Sequence, residues 1–118
     1  MGTEVIYRSA LEALLEMVGG DTEFFAEMVD TFFEDSPELL AAAQAALAAG
    51  DTPTLRRAAH SLKSNAANFG AMELSQRCKA LEELAKSGAL DRAPELLDQV
   101  TAEYTMAEAA LKAIAAGG

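Results

Sequence analysis

The fold class is decided by residues 90–115, which read LDRAPELLDQVTAEYTMAEAALKAIA. Apolar residues recur in this stretch at alternating steps of three and four, which is the spacing of one face of an α-helix. They are Leu90, Ala93, Leu97, Val100, Tyr104, Ala107, Leu111 and Ile114. The stretch therefore predicts a helix about 35–40 Å long at 1.5 Å per residue. Pro94 falls in its first turn, where proline costs little.

The composition supports helices throughout the chain. There are 26 alanines against four valines and two isoleucines. Alanine loses no side-chain entropy in a helix, whereas strands favour β-branched and aromatic residues. Glycines, prolines and capping residues divide the preceding chain into helices near 9–18, 21–35 (capped by Asp21), 37–49, 51–69 (capped by Asp51 or Thr52) and 71–86. This order predicts an all-α protein, an antiparallel four-helix bundle with one or two additional N-terminal helices.

Size and charge limit what the protein can be. The 118 residues suit a single domain over 1–118, and the net charge of −10 argues against nucleic acid or an anionic membrane as a partner. No apolar run has the length of a membrane span and no signal peptide is evident, so we expect a cytoplasmic protein. The one histidine, His60, cannot form a multi-histidine metal cage, and the one cysteine, Cys78, cannot form an internal disulfide. We expect no bound metal.

The regular apolar face of residues 90–115 leaves two possibilities open. It could mark a coiled-coil dimer, or it could pack within one chain. The neighbouring predicted helices carry matching apolar stripes, which favours burial within the chain and a monomer. Cys78 and most of the phenylalanines at positions 24, 25, 32 and 33 are expected in this core, although an exposed phenylalanine could border a docking surface.

His60 is the residue most suited to chemistry. On a helical wheel, the apolar residues of its helix form one stripe that consists of Leu55, Ala58, Ala59, Leu62, Ala66 and Phe69. His60 falls about 140° from Leu55 on this wheel. The residues that share its face are Arg56, Lys63, Ser64 and Ala67. The wheel therefore predicts a solvent-facing imidazole with a lysine one turn away.

Such an imidazole can act as a nucleophile. An unperturbed imidazole in general has a pKa of about 6.5 and is mostly neutral at cytoplasmic pH. A lysine three residues later can neutralise the oxygens of an anion placed on the ring. Residues 56–86 carry six basic and three acidic side chains, against three basic and sixteen acidic elsewhere. An exposed histidine on a basic helix is on its own most often a solvated surface residue, so the pattern alone decides nothing.

The sequence around His60 resembles a known family. Residues 59–71, AHSLKSNAANFGA, are similar to the histidine-containing phosphotransfer (HPt) domain, whose signature is His-x-Leu-Lys with a glycine seven residues after the lysine. The resemblance extends from about Leu11 to Leu111. It includes Phe32-Phe33, residues 36–40, Gly50-Asp51 and residues 74–84. Several matching features are more specific than the short motif alone.

This resemblance implies a role for each residue of the face. His60 would be phosphorylated, Lys63 would interact with the phosphoryl group, and Gly70 would allow a response-regulator receiver domain to approach. The family often has glycine directly after the lysine, where this chain has Ser64, a small residue that can donate a hydrogen bond to a phosphoryl oxygen. Arg56 and Ala67 are expected to contact the receiver.

The implied function is that of a phosphorelay intermediate. It would take a phosphoryl group from a receiver aspartate and pass it to a second receiver, with receivers and a hybrid sensor histidine kinase as partners. No cofactor is expected on this chain, because Mg²⁺ would come from the receiver. The chain has no Gly-x-x-x-x-Gly-Lys-Ser/Thr loop, which argues against autonomous kinase activity.

Two alternatives remain from the sequence. The bundle could be a docking module that binds a receiver or kinase without accepting phosphate, although the presence of both His60 and Lys63 weighs against this. It could also be the dimerising helical hairpin of a histidine kinase. Those hairpins place an acidic residue directly after the histidine, whereas Ser61 follows here.

Overall fold

The computed structural model describes Ile6 and residues 8–117, with side chains at Ile6 and residues 9–113. Within this part of the chain all regular structure is helical. The helices are α1 (Arg8–Met17), α2 (Thr22–Ala49), α3 (Thr52–Asn68), α4 (Met72–Ser87) and α5 (Ala93–Gly117). The prediction of an all-α protein is confirmed, and one N-terminal helix, α1, accompanies the four longer ones.

The predicted break at Ser36-Pro37 is wrong. The helices expected over 21–35 and 37–49 form one helix of 28 residues, α2, with Pro37 inside it. One buried stripe passes uninterrupted through the proline and consists of Val29, Phe32, Ser36, Leu40, Ala43 and Ala46. Pro37 itself is exposed. Burial of a continuous face therefore outweighs the backbone hydrogen bond that proline cannot donate.

The turn between α2 and α3 sets where α3, the helix of His60, begins. Gly50 adopts a left-handed conformation with φ +70°, and its amide donates to the carbonyls of α2. Asp51 then caps α3 by accepting a hydrogen bond from the Thr54 amide at 3.2 Å. The hydroxyl of Thr54 also donates to Asp51 at 2.6 Å, and these bonds lower the pKa of the Asp51 carboxyl. The cap expected at Asp51 or Thr52 is thus at Asp51.

The four longer helices pack around one core. Helix α3 lies between α2 and α4, and α5 contacts both α4 and α2. The apolar face predicted for residues 90–115 is buried at Ala93, Leu97, Val100, Tyr104, Ala107 and Leu111. Leu90 is half-buried in a short 3₁₀ turn, Leu90–Arg92, so the last helix begins three residues later than predicted. The side chain of Ile114 lies outside the described residues.

Cys78 lies in this core. It is fully buried, as expected, and burial raises the pKa of its thiol to about 12.

None of the described helices combines the length and the apolar character needed to cross a membrane.

Replacing Pro37 by alanine is expected to stabilise the protein by about 1–2 kcal/mol. An amide at position 37 can donate to the Phe33 carbonyl, and the proline ring no longer crowds the preceding turn, although a more flexible unfolded chain offsets part of the gain. Urea unfolding of P37A and the wild type measures the difference. The exposed neighbour provides a control, E38A, for which we expect a change below about 0.5 kcal/mol. A loss of stability in P37A would contradict this account of α2.

Candidate functional site

His60 stands on the solvent side of α3. The six residues of the predicted core stripe are all buried, from Leu55 to Phe69. The side chain of His60 is 57% exposed, on the opposite face. The orientation expected from the helical wheel is therefore confirmed.

A carboxylate on α4 joins two predicted site residues of α3, His60 and Lys63. Glu82 Oε2 lies 2.9 Å from His60 Nδ1, and Glu82 Oε1 accepts a hydrogen bond from Lys63 Nζ at 2.7 Å. The Glu82 side chain is only 18% exposed and that of Lys63 28%. His60, Lys63 and Glu82 thus form one connected site at the contact between α3 and α4.

Glu82 is the site residue that the sequence analysis missed. The helix register contains a signal for it, because α3 and α4 run antiparallel on either side of the turn at Gly70. His60 lies ten residues before Gly70 and Glu82 lies twelve after it, which puts them at about the same height along the two helices. A carboxylate at that height could have been proposed as the partner of His60.

The charge of Glu82 fixes the proton on the His60 ring. The hydrogen bond from Lys63, and to a lesser degree that from His60, lowers the pKa of the Glu82 carboxyl below its ordinary value. An ionised carboxylate can only accept hydrogen bonds, so Nδ1 must carry the proton that it donates to Glu82. In the neutral ring, the lone pair is then on Nε2.

The backbone of Lys63 is also tied to α4. The Ser75 hydroxyl, on a residue that is 8% exposed, donates to the Lys63 carbonyl at 3.1 Å. This bond and the Glu82 ion pair fix the Lys63 turn of α3 against α4. Because Glu82 contacts both side chains, the Lys63 ammonium and the His60 imidazole lie at the same edge of the bundle.

The other predicted residues of the face differ in their exposure. Arg56 and Ser64 are exposed on α3, and Ala67 is half-buried near its C-terminal end. Gly70 is buried, with φ +76°, a left-handed conformation that glycine adopts without a steric cost. Gly70 therefore has a structural role in the turn that ends α3. Its part in receiver docking stays a prediction, as do those of Arg56 and Ala67.

The described residues also bear on metal binding. Within them, no group of three or more histidine, cysteine, aspartate or glutamate side chains is arranged to hold a metal ion. The acidic partner of His60 is a single carboxylate, and both of its oxygens are engaged by side chains of α3.

Comparisons with known proteins bear on the family of this chain. The family model described as the Hpt domain matches residues 27–110. The structure is similar to histidine-containing phosphotransfer protein B (HptB) from Pseudomonas aeruginosa PAO1, with a TM-score of 0.88 and 36% identity over 97% of this chain and 96% of that one. A search among curated proteins finds no match.

A second solved structure shares the fold. It is the HPT domain from a sensor hybrid histidine kinase of Shewanella, with a TM-score of 0.71 and 20% identity over 88% of this chain and 90% of that one. The Hpt match covers the exposed histidine, its lysine and the carboxylate that joins them. This chain therefore belongs to the histidine-containing phosphotransfer (HPt) domain family.

Proposed function

We propose that the chain is a phosphorelay intermediate that accepts a phosphoryl group on His60 from a receiver aspartate and passes it to a second receiver. The observation that carries this proposal is the bond from His60 Nδ1 to Glu82 at 2.9 Å. It directs the lone pair of an exposed ring to Nε2, the nitrogen that can attack phosphorus. Family membership supports the histidine phosphotransfer role itself.

The acceptance step uses this arrangement directly. The Nε2 lone pair forms a bond to phosphorus as the bond between phosphorus and the receiver's aspartate oxygen breaks, and the aspartate leaves with the electron pair. The ring becomes a phosphoimidazolium that still carries its Nδ1 proton, and the Glu82 carboxylate balances its positive charge. In the onward step the electron pair returns to Nε2, and neutral imidazole is the leaving group. The proton stays on Nδ1 in both directions.

Lys63 is proposed to stabilise the phosphoryl oxygens. Its ammonium is one helical turn from His60 and is held by the same carboxylate that holds the ring. Phosphoryl transfer depends mainly on positioning and electrostatic stabilisation, so a pre-placed cation suits this chemistry. Ser64, exposed on the next position of α3, is proposed to donate a hydrogen bond to the same oxygens.

Two further components of the relay are proposed to come from partners. We propose that Mg²⁺ and its acidic ligands belong to the receiver domain, and that the phosphate originates from a hybrid sensor histidine kinase and not from autonomous kinase activity of this chain. A monomer that acts in the cytoplasm fits this role. Arg56 and Ala67 remain the proposed receiver contacts on α3, and Gly70, in its C-terminal turn, remains the glycine proposed to let the receiver approach.

Substitution of His60 by glutamine is expected to abolish phosphoryl transfer, because an amide nitrogen has no free lone pair with which to attack phosphorus. The test is incubation with a phosphorylated receiver, followed by detection of acid-labile, base-stable label on the chain. S61A, an exposed neighbour, should keep the label, and circular dichroism should show unchanged helicity in both variants. Label retained by H60Q would refute His60 as the acceptor. An unlabelled wild type that still binds the receiver would favour the docking module without phosphate acceptance.

Substitution of Lys63 by alanine is expected to slow phosphoryl transfer about 10²-fold, which is the usual effect of removing one group that stabilises a developing anion. Quench-flow measurement of phosphate arrival on His60 gives the rate. K79A removes a lysine from the exposed surface of α4 and should transfer at the wild-type rate. Equal rates of phosphoryl transfer in K63A and K79A would show that Lys63 does not contribute to the transfer.

The ionised state of Glu82 can be tested without a receiver. Its pKa is lower in the folded chain than its ordinary value of 4.5, so its carboxylate stabilises the fold above about that pH. This contribution is lost as the pH falls through the folded value. We therefore expect urea unfolding to show E82Q less stable than the wild type at pH 7, with the difference disappearing in stronger acid.

The matched control for this experiment is E83Q, which removes an exposed carboxylate one position along α4. The stability of E83Q should equal that of the wild type both at pH 7 and in stronger acid. A difference between E82Q and the wild type that is the same at pH 7 and in acid would contradict an ionised Glu82 in the folded chain.

A further inference from the structure

A groove lies along the contact between α4 and α5, on the side of α4 that faces away from His60. This α4–α5 groove has a volume of about 440 Å³. Two of its lining residues, Ala80 and Leu84, lie about 160° on a helical wheel from Glu82, the α4 residue that contacts His60. A partner segment bound in the α4–α5 groove therefore leaves the His60 side of α4 uncovered.

The floor of the α4–α5 groove is apolar. Leu84 on α4 and Leu96 on α5 line it, and each is only half-buried, so part of each side chain remains available for contact. Ala80 is also half-buried, and its small side chain lets a partner backbone approach closely. Two packed helices with such a floor between them suit the apolar face of a third, amphipathic helix.

The antiparallel contact of α4 and α5 sets the length of the groove. On the α5 side its lining residues run from Arg92 to Gln99, which is about 10 Å at 1.5 Å per residue. Gln99 accepts a hydrogen bond from Arg77 at 2.8 Å, and Arg77 also pairs with Glu103 at 3.4 Å. This network lies at one end of the groove and Arg92 at the other, so about two turns of a partner helix fit between them.

Both walls of the groove carry an exposed carboxylate, Glu83 on α4 and Glu95 on α5. In the part of the chain that the structure describes, neither carboxylate forms an ion pair, and Arg92 forms none either. Carboxylates on either side of an apolar floor complement a helix with lysine or arginine on both flanks. The Arg92 guanidinium complements the C-terminal end of that helix, where the backbone dipoles are negative.

The net charge of the chain argues against a second copy as the occupant. Each copy carries a net charge of −10, so two copies repel each other. A positively charged helix is attracted both by the two flanking carboxylates and by the chain as a whole. The charges therefore favour a basic segment of another protein.

We propose that the α4–α5 groove is a docking site for a basic amphipathic helix of a partner protein. Apolar side chains of the helix contact the two leucines of the floor, its lysines or arginines contact the two flanking carboxylates, and its C-terminal end lies at Arg92. This inference goes beyond the proposed relay function and does not depend on it. Because the groove and His60 lie on opposite sides of α4, the chain can stay attached to this partner while the His60 face remains open.

The test uses a synthetic peptide as the probe. It is a fluorescein-labelled helix of about 15 residues with leucines on one face, lysines on both flanks and a free C-terminal carboxylate. Fluorescence anisotropy measures its binding to the full chain. The dissociation constants of E83K and E95K should each rise about tenfold at low salt, and the rise should shrink as ionic strength increases.

The matched control for the carboxylates is E34K, which makes the same charge change at an exposed position of α2. Its dissociation constant should stay within about twofold of the wild-type value, because only long-range attraction is reduced. Equal dissociation constants for E83K, E95K and E34K would overturn the proposal, since the peptide would then respond to the net charge of the chain alone.

The apolar floor has its own matched pair. L96A should weaken peptide binding several-fold, because the peptide loses an apolar contact. L47A removes a leucine of α2 that is likewise half-buried against the core, and it should bind the peptide like the wild type. Circular dichroism checks the helicity of both variants. If L96A fails to fold, the surface variants E83K and E95K still decide the proposal.

Arg92 tests the direction of the bound helix. R92A makes the chain more acidic, which by itself favours a basic peptide. We nevertheless expect R92A to weaken binding about threefold, because the C-terminal end of the peptide loses its positive partner. Tighter binding to R92A would contradict the proposed direction.

Two further measurements test the independence of the groove and its occupant. H60Q, altered on the other side of α4, should bind the peptide like the wild type, and a loss of binding would show that the two faces are not separate. Sedimentation equilibrium should show a monomer at the concentrations of the titration. A dimer that L96A dissociates would assign the groove to a second copy of the chain and overturn the proposal.

Discussion

The carboxylate of Glu82 is the interaction on which the site depends. One oxygen holds the His60 ring and the other holds the Lys63 ammonium, so a single side chain of α4 orients both side chains of α3. Neither contact is possible unless α3 and α4 pack in one register. The geometry of the site therefore depends on helix packing, and no pocket is needed to position the His60 ring.

Several features of the bundle maintain that register. The Ser75 hydroxyl bonds the Lys63 carbonyl, Gly70 makes the short turn, and buried leucines of both helices fill the space between them. The opposite side of α4 is fixed to α5 by Arg77, whose guanidinium lies 2.8 Å from Gln99 and 3.4 Å from Glu103. Helix α4 is thus held from both sides, and Glu82 has little freedom to leave the site.

Helix α2 serves both the core and the surface beside α3. Its buried stripe runs from Val29 to Ala46 through Pro37, and Phe24, Glu27 and Asp35 line a groove next to α3. All three groove residues precede Ser36. It is therefore the core stripe, and not the groove, that depends on the continuity of α2.

The sequence by itself determined the fold class, the helix that carries His60 and the outward direction of that ring. These depend on composition and on the 3.6-residue period, which are local properties of the chain. Its HPt resemblance likewise rested on short motifs read along the chain, from Phe32-Phe33 through residues 59–71 to residues 74–84. The tertiary structure decided what depends on contacts between distant segments. Burial of one face kept α2 whole through Pro37, and packing of α3 against α4 brought Glu82 to a histidine 22 residues away. The helical period of one segment does not encode such a contact, because the contact depends on how two helices pack against each other.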